Sequence, residues 1–531
     1  MKTRFLILMI LLLTLFNCAR RGSLTGGDKD EKTPILIKTV PQFESINFSA
    51  NEIKIYFDEY IKLKDLRKHL VVSPPLKYAP IISPQGTPSK KITIKIKDTL
   101  LPNTTYSFNF GESIIDNNEG NIISDFKYIF STGNYIDSLK IKGEIVNAFA
   151  KKEPEYVTVM LYEANESFSD STIFNDKPLY VANTLKSTHW EFSNLKPGKY
   201  HMIALKEENS DFVFNPKSDE IAYLDTIIEI PSKQEFKLKL FKEKRPFKTF
   251  KPIEISKNHI IIGYEGDAKN LKVLPNISKT GVDEMDYKTY FENRKDTLNF
   301  FFKTNKKIDS LFLKIINNKY KTNEKVTLRS KDIDSIKVTS NARGVLNFKD
   351  TIKVSLNNPL EMYYKNKMLF FDKDTIAVDY TLKRKGQRDL LFLFDKKESQ
   401  RYKLTLLPDA LVDFYDLKND TIKYVFSTNK KINYGSITLN VTNVKNSIIV
   451  QLINSKKEVL EQRFIKSDAK VSFDLLNVAT YDIRVIYDDN GNGKWDTGSY
   501  FHKIQPEKVV YFKDAIEVKE NWFINEDLIL E

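Results

Sequence analysis

The sequence predicts an all-β protein built from tandem antiparallel β-sandwich domains, and two observations lead to this fold class. Apolar and polar residues alternate with the period of a strand in NEIKIYFDEYI, KKITIKIKDTL and SLFLKII, and Asn, Asp, Gly and Pro bound these segments. The second observation is an internal repeat, since KYIFSTGNYIDSLKIKGEIVNA from Lys127 resembles KYVFSTNKKINYGSITLNV from Lys423. A chain of 531 residues has room for several such domains.

The repeat organises the chain into two modules, A and B, which occur in the order A-B, a middle module, then A-B again. In the A-to-B segment we match Gly143 with Gly435. Further on, FSNLKPGKYHMIALKEENSDFVFNP from Phe192 aligns without a gap on FDLLNVATYDIRVIYDDNGNGKWDT from Phe473. The predicted domains are A1 at 34–134, B1 at 135–234, a middle β-domain (M) at 235–335, a degenerate A2 at 336–430 and B2 at 431–531.

Both modules resemble known families. Module A, with IKIYFDEYIKL, VVSPPL, LLPNTTYSFNFGESIIDNNEGN and YIFSTG, resembles the bacterial Ig-like domain. Module B is similar to the transthyretin-like sandwich of carboxypeptidase regulatory domains through its LKPGKY turn, although B2 carries Val478 and Ala479 in place of the proline and glycine. The whole chain resembles Ig-like-domain lipoproteins of the Bacteroidota, which implies an envelope location and a non-catalytic role.

The N-terminus predicts export and lipid anchoring. Lys2 and Arg4 precede an apolar run that is shorter than the roughly 20 residues needed to span a bilayer, so residues 1–17 are predicted as a signal peptide. Cys18, the only cysteine, follows at once, with Leu15 three positions before it, and this arrangement resembles a bacterial lipoprotein signal. Residues 18–33 then form a flexible tether. The alternative is an ordinary signal peptide that ends near a cysteine.

The segment YDDNGNGKWDTG predicts a calcium loop in B2. Hard oxygen ligands alternate along it, and Gly493 stands at the tight-turn position; the predicted ligands are Asp488, Asn490, Asn492, Asp496 and the Lys494 carbonyl. Ser499 replaces the bidentate Glu of an EF-hand, so we expect a Kd on the order of 10⁻⁴ to 10⁻³ M. In B1 a degenerate loop, in which Phe212 replaces the glycine, contains Glu207, Asn209, Asp211 and Asn215. The alternative for both is a hairpin turn that caps its own backbone.

The sequence offers no constellation for catalysis, and we expect no enzyme, no catalytic residues and no required cofactor; structural calcium is the one candidate. The five His residues lack metal-ligand spacing, and no nucleophile elbow or phosphate-binding glycine loop occurs. The net charge of +13 comes from dispersed Lys, which predicts a solvated surface and no nucleic acid partner. We predict that Trp190, like most of the aromatic residues, lies in a sandwich core, and that Trp495 is a buried or half-buried anchor in preference to a sugar-stacking platform. Trp522 is predicted in a terminal strand that pairs into the last sandwich.

These features predict a lipid-anchored outer-membrane scaffold in which a rod of sandwiches contacts another envelope protein, such as an outer-membrane barrel or an assembly or secretion machine. Its first partner is the membrane lipid, reached through acylated Cys18. The sequence leaves open whether the protein faces the periplasm or the cell surface. A glycan-binding surface lipoprotein is the alternative function, and an envelope enzyme is the third.

Overall fold

The computed structural model describes residues 30–292 and 295–531, whose strands form five two-layered β-sandwiches in chain order. The signal peptide at 1–17 and the predicted lipidation site Cys18 lie outside the described residues, as does most of the tether at 18–33. Within the described ranges, helices are short, and none has the length and apolarity to cross a membrane. The all-β fold class predicted from strand periodicity is confirmed.

The first sandwich, A1, packs two sheets around a core of Ile and Phe side chains. Alternation on its longest strand places Ile53, Ile55 and Phe57 in that core. One sheet has the order β4-β5-β2-β7-β8, with β1 paired to β2, and the other has the order β3-β6-β9. The elements are β1 (Leu36–Val40), β2 (Glu52–Leu63), α1 (Leu66–His69), β3 (Val71–Ser73), β4 (Ile81–Ser83), β5 (Ser89–Lys95), β6 (Thr105–Asn109), β7 (Ile114–Asp116), β8 (Ile122–Ile123) and β9 (Lys127–Ser131).

The second sandwich, B1, has a different topology, because its first strand pairs in parallel with its last. One sheet has the order β13-β10-β17, and the other has the order β12-β11-β14-β15, with β16 paired to β14. Its strands are β10 (Leu139–Asn147), β11 (Thr158–Glu163), β12 (Tyr180–Asn183), β13 (His189–Leu195), β14 (Gly198–Lys206), β15 (Glu220–Tyr223), β16 (Ile228–Ile230) and β17 (Phe236–Leu240). The predicted boundary at residue 234 is therefore wrong, because β17 completes the B1 core through Phe236, Leu238 and Leu240.

The middle sandwich, M, for which the sequence indicates no family, has the strand pairing of A1 apart from the β7–β8 hairpin that A1 adds to β2. In one sheet β20 pairs with β19 and β23, and β23 pairs with β22; in the other sheet β24 pairs with β21 and β25. This division is that of the Ig fold, with ABED strands facing CFG strands. The elements are β18 (Lys248–Thr249), β19 (Ile253–Ser256), β20 (His259–Glu265), β21 (Lys272–Pro275), α2 (Ile277–Thr280), β22 (Met285–Phe291), β23 (Thr297–Thr304), β24 (Ser310–Asn317) and β25 (Tyr320–Thr327).

The fourth sandwich, A2, is also a complete Ig-like sandwich, although its sequence resembles A1 mainly in the last strands. β28 pairs with β26 and β32, β31 pairs with β32, and in the facing sheet β33 pairs with β30 and β35. The strands are β26 (Val338–Ser340), β27 (Gly344–Val345), β28 (Ile352–Leu356), β29 (Leu360–Tyr363), β30 (Met368–Asp372), β31 (Thr381–Lys385), β32 (Asp389–Leu393), β33 (Arg401–Leu406), β34 (Leu411–Asp413) and β35 (Ile422–Ser427).

The fifth sandwich, B2, repeats the B1 topology strand for strand. Its sheets have the orders β39-β36-β43 and β38-β37-β40-β41, with β42 paired to β40 and a parallel β36–β43 pair. The strands are β36 (Gly435–Thr442), β37 (Ile448–Ile453), β38 (Val459–Ile465), β39 (Ala469–Leu476), β40 (Ala479–Tyr487), β41 (Val509–Tyr511), β42 (Ile516–Val518) and β43 (Phe523–Ile529).

Strand register corrects one detail of the repeat. Leu139 on β10 lies opposite Leu195, and Gly435 on β36 lies opposite Leu476, which is the partner of Leu195 in the gap-free alignment. Gly435 therefore corresponds to Leu139, and Gly143 does not match it. Gly143 has a packing reason of its own, because a Cβ at this position would lie 2.1 Å from the Phe236 carbonyl oxygen.

The five sandwiches do not form the extended rod expected from the sequence. M contacts A2 through an Arg388–Glu292 ion pair of 3.2 Å, and A2 contacts B2 through a Lys349–Glu461 ion pair of 2.6 Å. B2 then packs against B1, although more than 200 residues separate their loops. The chain from B1 to B2 is thus closed on itself, and A1 is attached to B1 on its N-terminal side, where the Val181 N–H donates to Ser73 Oγ at 3.1 Å.

Candidate functional site

The Asp488 loop, residues 488–508, connects β40 to β41 and has two halves with different contacts. The first half holds the predicted calcium ligands, and the second half packs on B1. Because Gly491 and Gly493 have φ angles of 67° and 78°, the chain turns sharply here without Cβ strain.

Asp488 organises the first half of the loop from a buried position at the end of β40. Its Oδ1 accepts a hydrogen bond from the Asn492 N–H at 2.9 Å, and its Oδ2 accepts one from the Gly493 N–H at 2.9 Å. Asn490 and Asn492 cap the backbone in the same way, since their Oδ1 atoms accept from the N–H groups of residues two positions later. These are the hydrogen bonds of the turn that the sequence offers as the alternative to a calcium loop.

Asp496 brings negative charge to the same place and is already partnered. Its Oδ2 accepts hydrogen bonds from the side-chain amides of Asn490, at 2.7 Å, and Asn492, while its Oδ1 lies 2.5 Å from the ammonium of Lys244. Burial alone would raise the pKa of Asp496, but Lys244 and the two amides outweigh it and lower the pKa to about 2. A bound cation would have to displace the Lys244 ammonium.

Glu507 is a third carboxylate at this loop, and the sequence pattern missed it. Its Oε1 accepts from the Asp489 N–H at 3.1 Å and its Oε2 from the Asp496 N–H at 2.8 Å. Burial, followed by the charges of Asp496 and Asp488, raises its pKa. It stands outside the twelve-residue window of a calcium motif, and the fold brings it to the first half of the loop. No group of three His, Cys, Asp or Glu in the described ranges has the arrangement of a metal site, and the calcium assignment stays a prediction.

The degenerate loop of B1 does not gather its predicted residues around one point. Asn209 accepts through its backbone oxygen from Arg67 of A1, whereas Asp211 and Asn215 each cap a separate turn. Glu207 Oε2 accepts from the Phe212 N–H at 2.8 Å, while its buried Oε1 has no hydrogen-bond partner in the described structure. Burial, as the largest effect, raises the pKa of Glu207 to about 7.

The second half of the Asp488 loop inserts aromatic side chains into B1. Tyr500 is only 2% exposed and belongs to a hydrophobic cluster with Met160, Ile203 and Phe241 of B1. Its ring meets that of Tyr223 edge to face at a centroid distance of 5.3 Å. The aromatic contact therefore buries B2 side chains in a core that B1 would otherwise expose.

Polar contacts surround this aromatic core. Thr497 Oγ1 donates to the Lys242 carbonyl at 2.7 Å, and the Lys503 ammonium lies 2.6 Å from Asp170 Oδ1. On the other side, Lys151 of B1 pairs with Asp482 of B2 at 2.9 Å. The geometry of the site is that of an intramolecular docking element, with a hydrophobic centre and a polar rim.

The three tryptophans are not arranged as a paired sugar platform. Trp190 is buried in B1, and Trp495 lies against Phe149 at a centroid distance of 4.5 Å while its Nε1 donates to the Glu507 carbonyl. Trp522 is half exposed beside β43, with the Lys519 ammonium 4.8 Å from its ring. Trp190 and Trp495 are thus the core and anchor residues that the sequence predicts.

Residues 30–132 match the model of the bacterial Ig-like domain, and this range is that of A1. No curated protein matches the chain. Among solved structures, the chain is similar to the S-layer protein rSbsC, with 11% identity, a TM-score of 0.15 and coverage of 91% of this chain and 67% of that one.

Two further solved structures have similar values. The I9-I11 tandem of titin has 9% identity and a TM-score of 0.12, and the match covers 54% of this chain and all of that one. SGBP-B of the Bacteroides ovatus mixed-linkage glucan utilization locus was solved with a mixed-linkage heptasaccharide. It has 9% identity and a TM-score of 0.18, and the match covers 72% of this chain and 94% of that one. At these scores the likenesses carry no functional argument, and the fold assignment stands on the strand pairing of the chain itself.

Proposed function

From a chain whose first sandwich matches the bacterial Ig-like domain, we propose a lipid-anchored outer-membrane protein that binds another envelope protein, as part of an assembly or secretion complex. In this proposal A1 supplies the contact surface, and the four closed sandwiches behind it supply a rigid body. Acylated Cys18 holds the chain on the membrane.

The observation that carries the proposal is the exposed apolar edge of A1. β1 is paired only with β2 among the described strands, so its other edge is free. Ile35 and Ile37 are each 61% exposed, and Leu36 and Val40 are also exposed, so both faces of the strand present large apolar side chains. Natural proteins usually protect such edges with charges or bulges, because an apolar free edge is a template for another strand. β1 has one charge, Lys38, and one register shift, between Leu36 and Lys38, and its exposed apolar residues flank both features.

The proposed binding mode is strand addition to β1. A partner strand would gain main-chain hydrogen bonds from the free edge, and its side chains would cover the exposed apolar residues Ile35, Ile37 and Val40. The tether ends just before this strand, so a membrane anchor at Cys18 would keep the edge close to other proteins of the same membrane. β43 of B2 is a second edge strand with exposed apolar side chains, Phe523 and Ile529, but it lies at the other end of the sequence from Cys18.

A pull-down from detergent-solubilised membranes tests the contact. The variant Ile35→Lys/Ile37→Lys places two charges on the edge, and we expect it to lose a stoichiometric protein partner that the unchanged protein retains. Ile376→Lys is the matched control, because Ile376 of A2 is also 61% exposed, and it should retain the partner. Equal retention by both variants would refute the role of β1.

The anchor and the alternative function need separate readouts. Cys18→Ser should move the protein from the membrane to the soluble fraction, and membrane retention unaffected by this change would contradict the tether. Retention of polysaccharide in place of protein, lost on Trp522→Ala, would support the glycan-binding alternative. Repeating the pull-down in calcium and in EDTA tests whether the Asp488 loop contributes to either form of binding.

A further inference from the structure

A groove of about 760 Å³ lies where A1 meets B1. Its volume falls within the roughly 300–1,000 Å³ of small-molecule sites, which occur preferentially between domains. Most of its wall is apolar and comes from α1, the β3–β4 connection and the B1 loop, with Leu66, Leu70, Pro75, Pro80, Ile82 and Phe212 as its main contributors.

The charges at the groove all have one sign. Arg67, Lys68 and Lys177 line it, and no Asp or Glu does. Arg67 donates to the Asn209 carbonyl at 3.2 Å and Lys177 to the Leu76 carbonyl at 2.8 Å, while the Lys68 ammonium lies 5.9 Å from the Tyr156 ring. None of the three has a carboxylate partner within the described residues. The cations are therefore available to an anion at the rim.

Phe212 forms part of the apolar wall of the groove, and its backbone conformation is strained. The repeat places it where Gly493 stands in B2, and its φ angle of 63° keeps the left-handed conformation that favours glycine. A bulky residue in this conformation is a genuine outlier, and such outliers concentrate at binding sites. The Phe212 side chain covers part of the groove that glycine would leave open.

We propose that this groove binds a small amphipathic molecule with a single apolar chain and one anionic head group. The apolar wall holds the chain, and the cations at Arg67, Lys68 and Lys177 bind the head group. The proposal is independent of strand addition at β1, because no residue of β1 lines the groove.

Isothermal titration with dodecanoate, kept below its critical micelle concentration, tests the site in the purified protein. We expect one equivalent to bind, and dodecyltrimethylammonium, which has the same chain and the opposite charge, to bind at least ten-fold more weakly. Hexanoate should also bind at least ten-fold more weakly, because its chain leaves the apolar wall uncovered.

Three variants separate the groove from general adsorption. Ala79→Trp fills the groove from an exposed position and should abolish binding, while Arg67→Glu/Lys68→Glu should weaken dodecanoate at least ten-fold. Phe212→Gly relieves the backbone but also removes a ring that packs on the B1 core, so its folding is checked by circular dichroism, and it should weaken binding several-fold. Lys64→Glu, an exposed charge change outside the groove, is the matched control and should leave affinity unchanged.

Two results would overturn the proposal. Equal binding of the anionic and cationic amphiphiles would remove the role of the cations. Unchanged dodecanoate binding in Ala79→Trp would place the ligand elsewhere on the protein. A failure of the β1 pull-down with intact dodecanoate binding would count against the proposed function alone.

Discussion

Replacing Glu207 by Gln should stabilise B1 at neutral and alkaline pH. The carboxyl accepts a hydrogen bond from the Phe212 N–H, and its buried Oε1 has no partner in the described structure. Burial raises its pKa from an ordinary value of 4.5 to about 7. Ionising this group in the folded protein is therefore costly, and the amide of Gln removes that cost while keeping the shape.

The direction of this pH dependence of stability follows from proton binding. Between pH 4.5 and 7 the folded state holds a proton that the unfolded state has released, so stability falls as the pH rises through this window. The loss of folding stability is complete above the pKa of the folded state and corresponds to about 3 kcal/mol. Glu207→Gln should thus be more stable than the unchanged protein by about 3 kcal/mol at pH 8, and the two should be equally stable near pH 4.

Tryptophan fluorescence can follow B1 by itself. In a background with Trp495→Phe and Trp522→Phe, buried Trp190 of B1 is the single tryptophan, and urea unfolding at several pH values gives the free energy. Glu208→Gln changes the exposed neighbouring carboxylate and is the matched control, with no expected pH-dependent gain. A Glu207→Gln variant that is less stable at pH 8, or whose gain is the same at pH 4, would refute the reasoning.

Three further predictions follow from the packing. Gly143→Ala should destabilise B1 by about 3 kcal/mol in the same urea assay, because the added Cβ would meet the Phe236 carbonyl oxygen at 2.1 Å. An unchanged midpoint of urea unfolding would contradict this close packing. In a calorimetric titration with calcium, Lys244→Ala should strengthen binding at the Asp488 loop, because it removes the cation that pairs with Asp496. Asp488→Asn should weaken calcium binding. The absence of a heat change in both variants would favour the turn alternative. Tyr500→Ala should increase the radius of gyration in small-angle scattering, because it empties the aromatic centre of the B1–B2 contact, and an unchanged radius would mean that the rim alone holds the modules together.

Strand periodicity and the repeat were sufficient to predict the sandwich architecture, because each sandwich is built from local alternation and short turns. The sequence assigns M to no family because M shares strand pairing with A1 but not the sequence motifs of A1. Strand pairing depends on packing that many different sequences satisfy. The predicted boundary after B1 excludes β17, because β17 alternates like any edge strand and only its parallel pairing with β10 assigns it to B1.

The contacts between modules could not be predicted from the sequence. Tyr500 looks like a loop residue, and its burial depends on a B1 surface more than 250 residues away. Glu507 reaches the first half of the Asp488 loop because the β40–β41 connection folds back on itself before β41. Local patterns therefore located the loop, while its role in closing the chain comes from tertiary packing.

Zero-length carbodiimide cross-linking of the intact protein tests the closed arrangement most directly, because it joins amines only to carboxylates that touch them. The closed chain predicts a peptide that joins Lys503 to Asp170, whose atoms lie 2.6 Å apart, alongside the Lys142–Glu235 link at 2.6 Å within B1 as the internal control. Recovery of the control link without the Lys503–Asp170 link, at protein concentrations where intermolecular products are absent, would contradict the closure of B1 on B2.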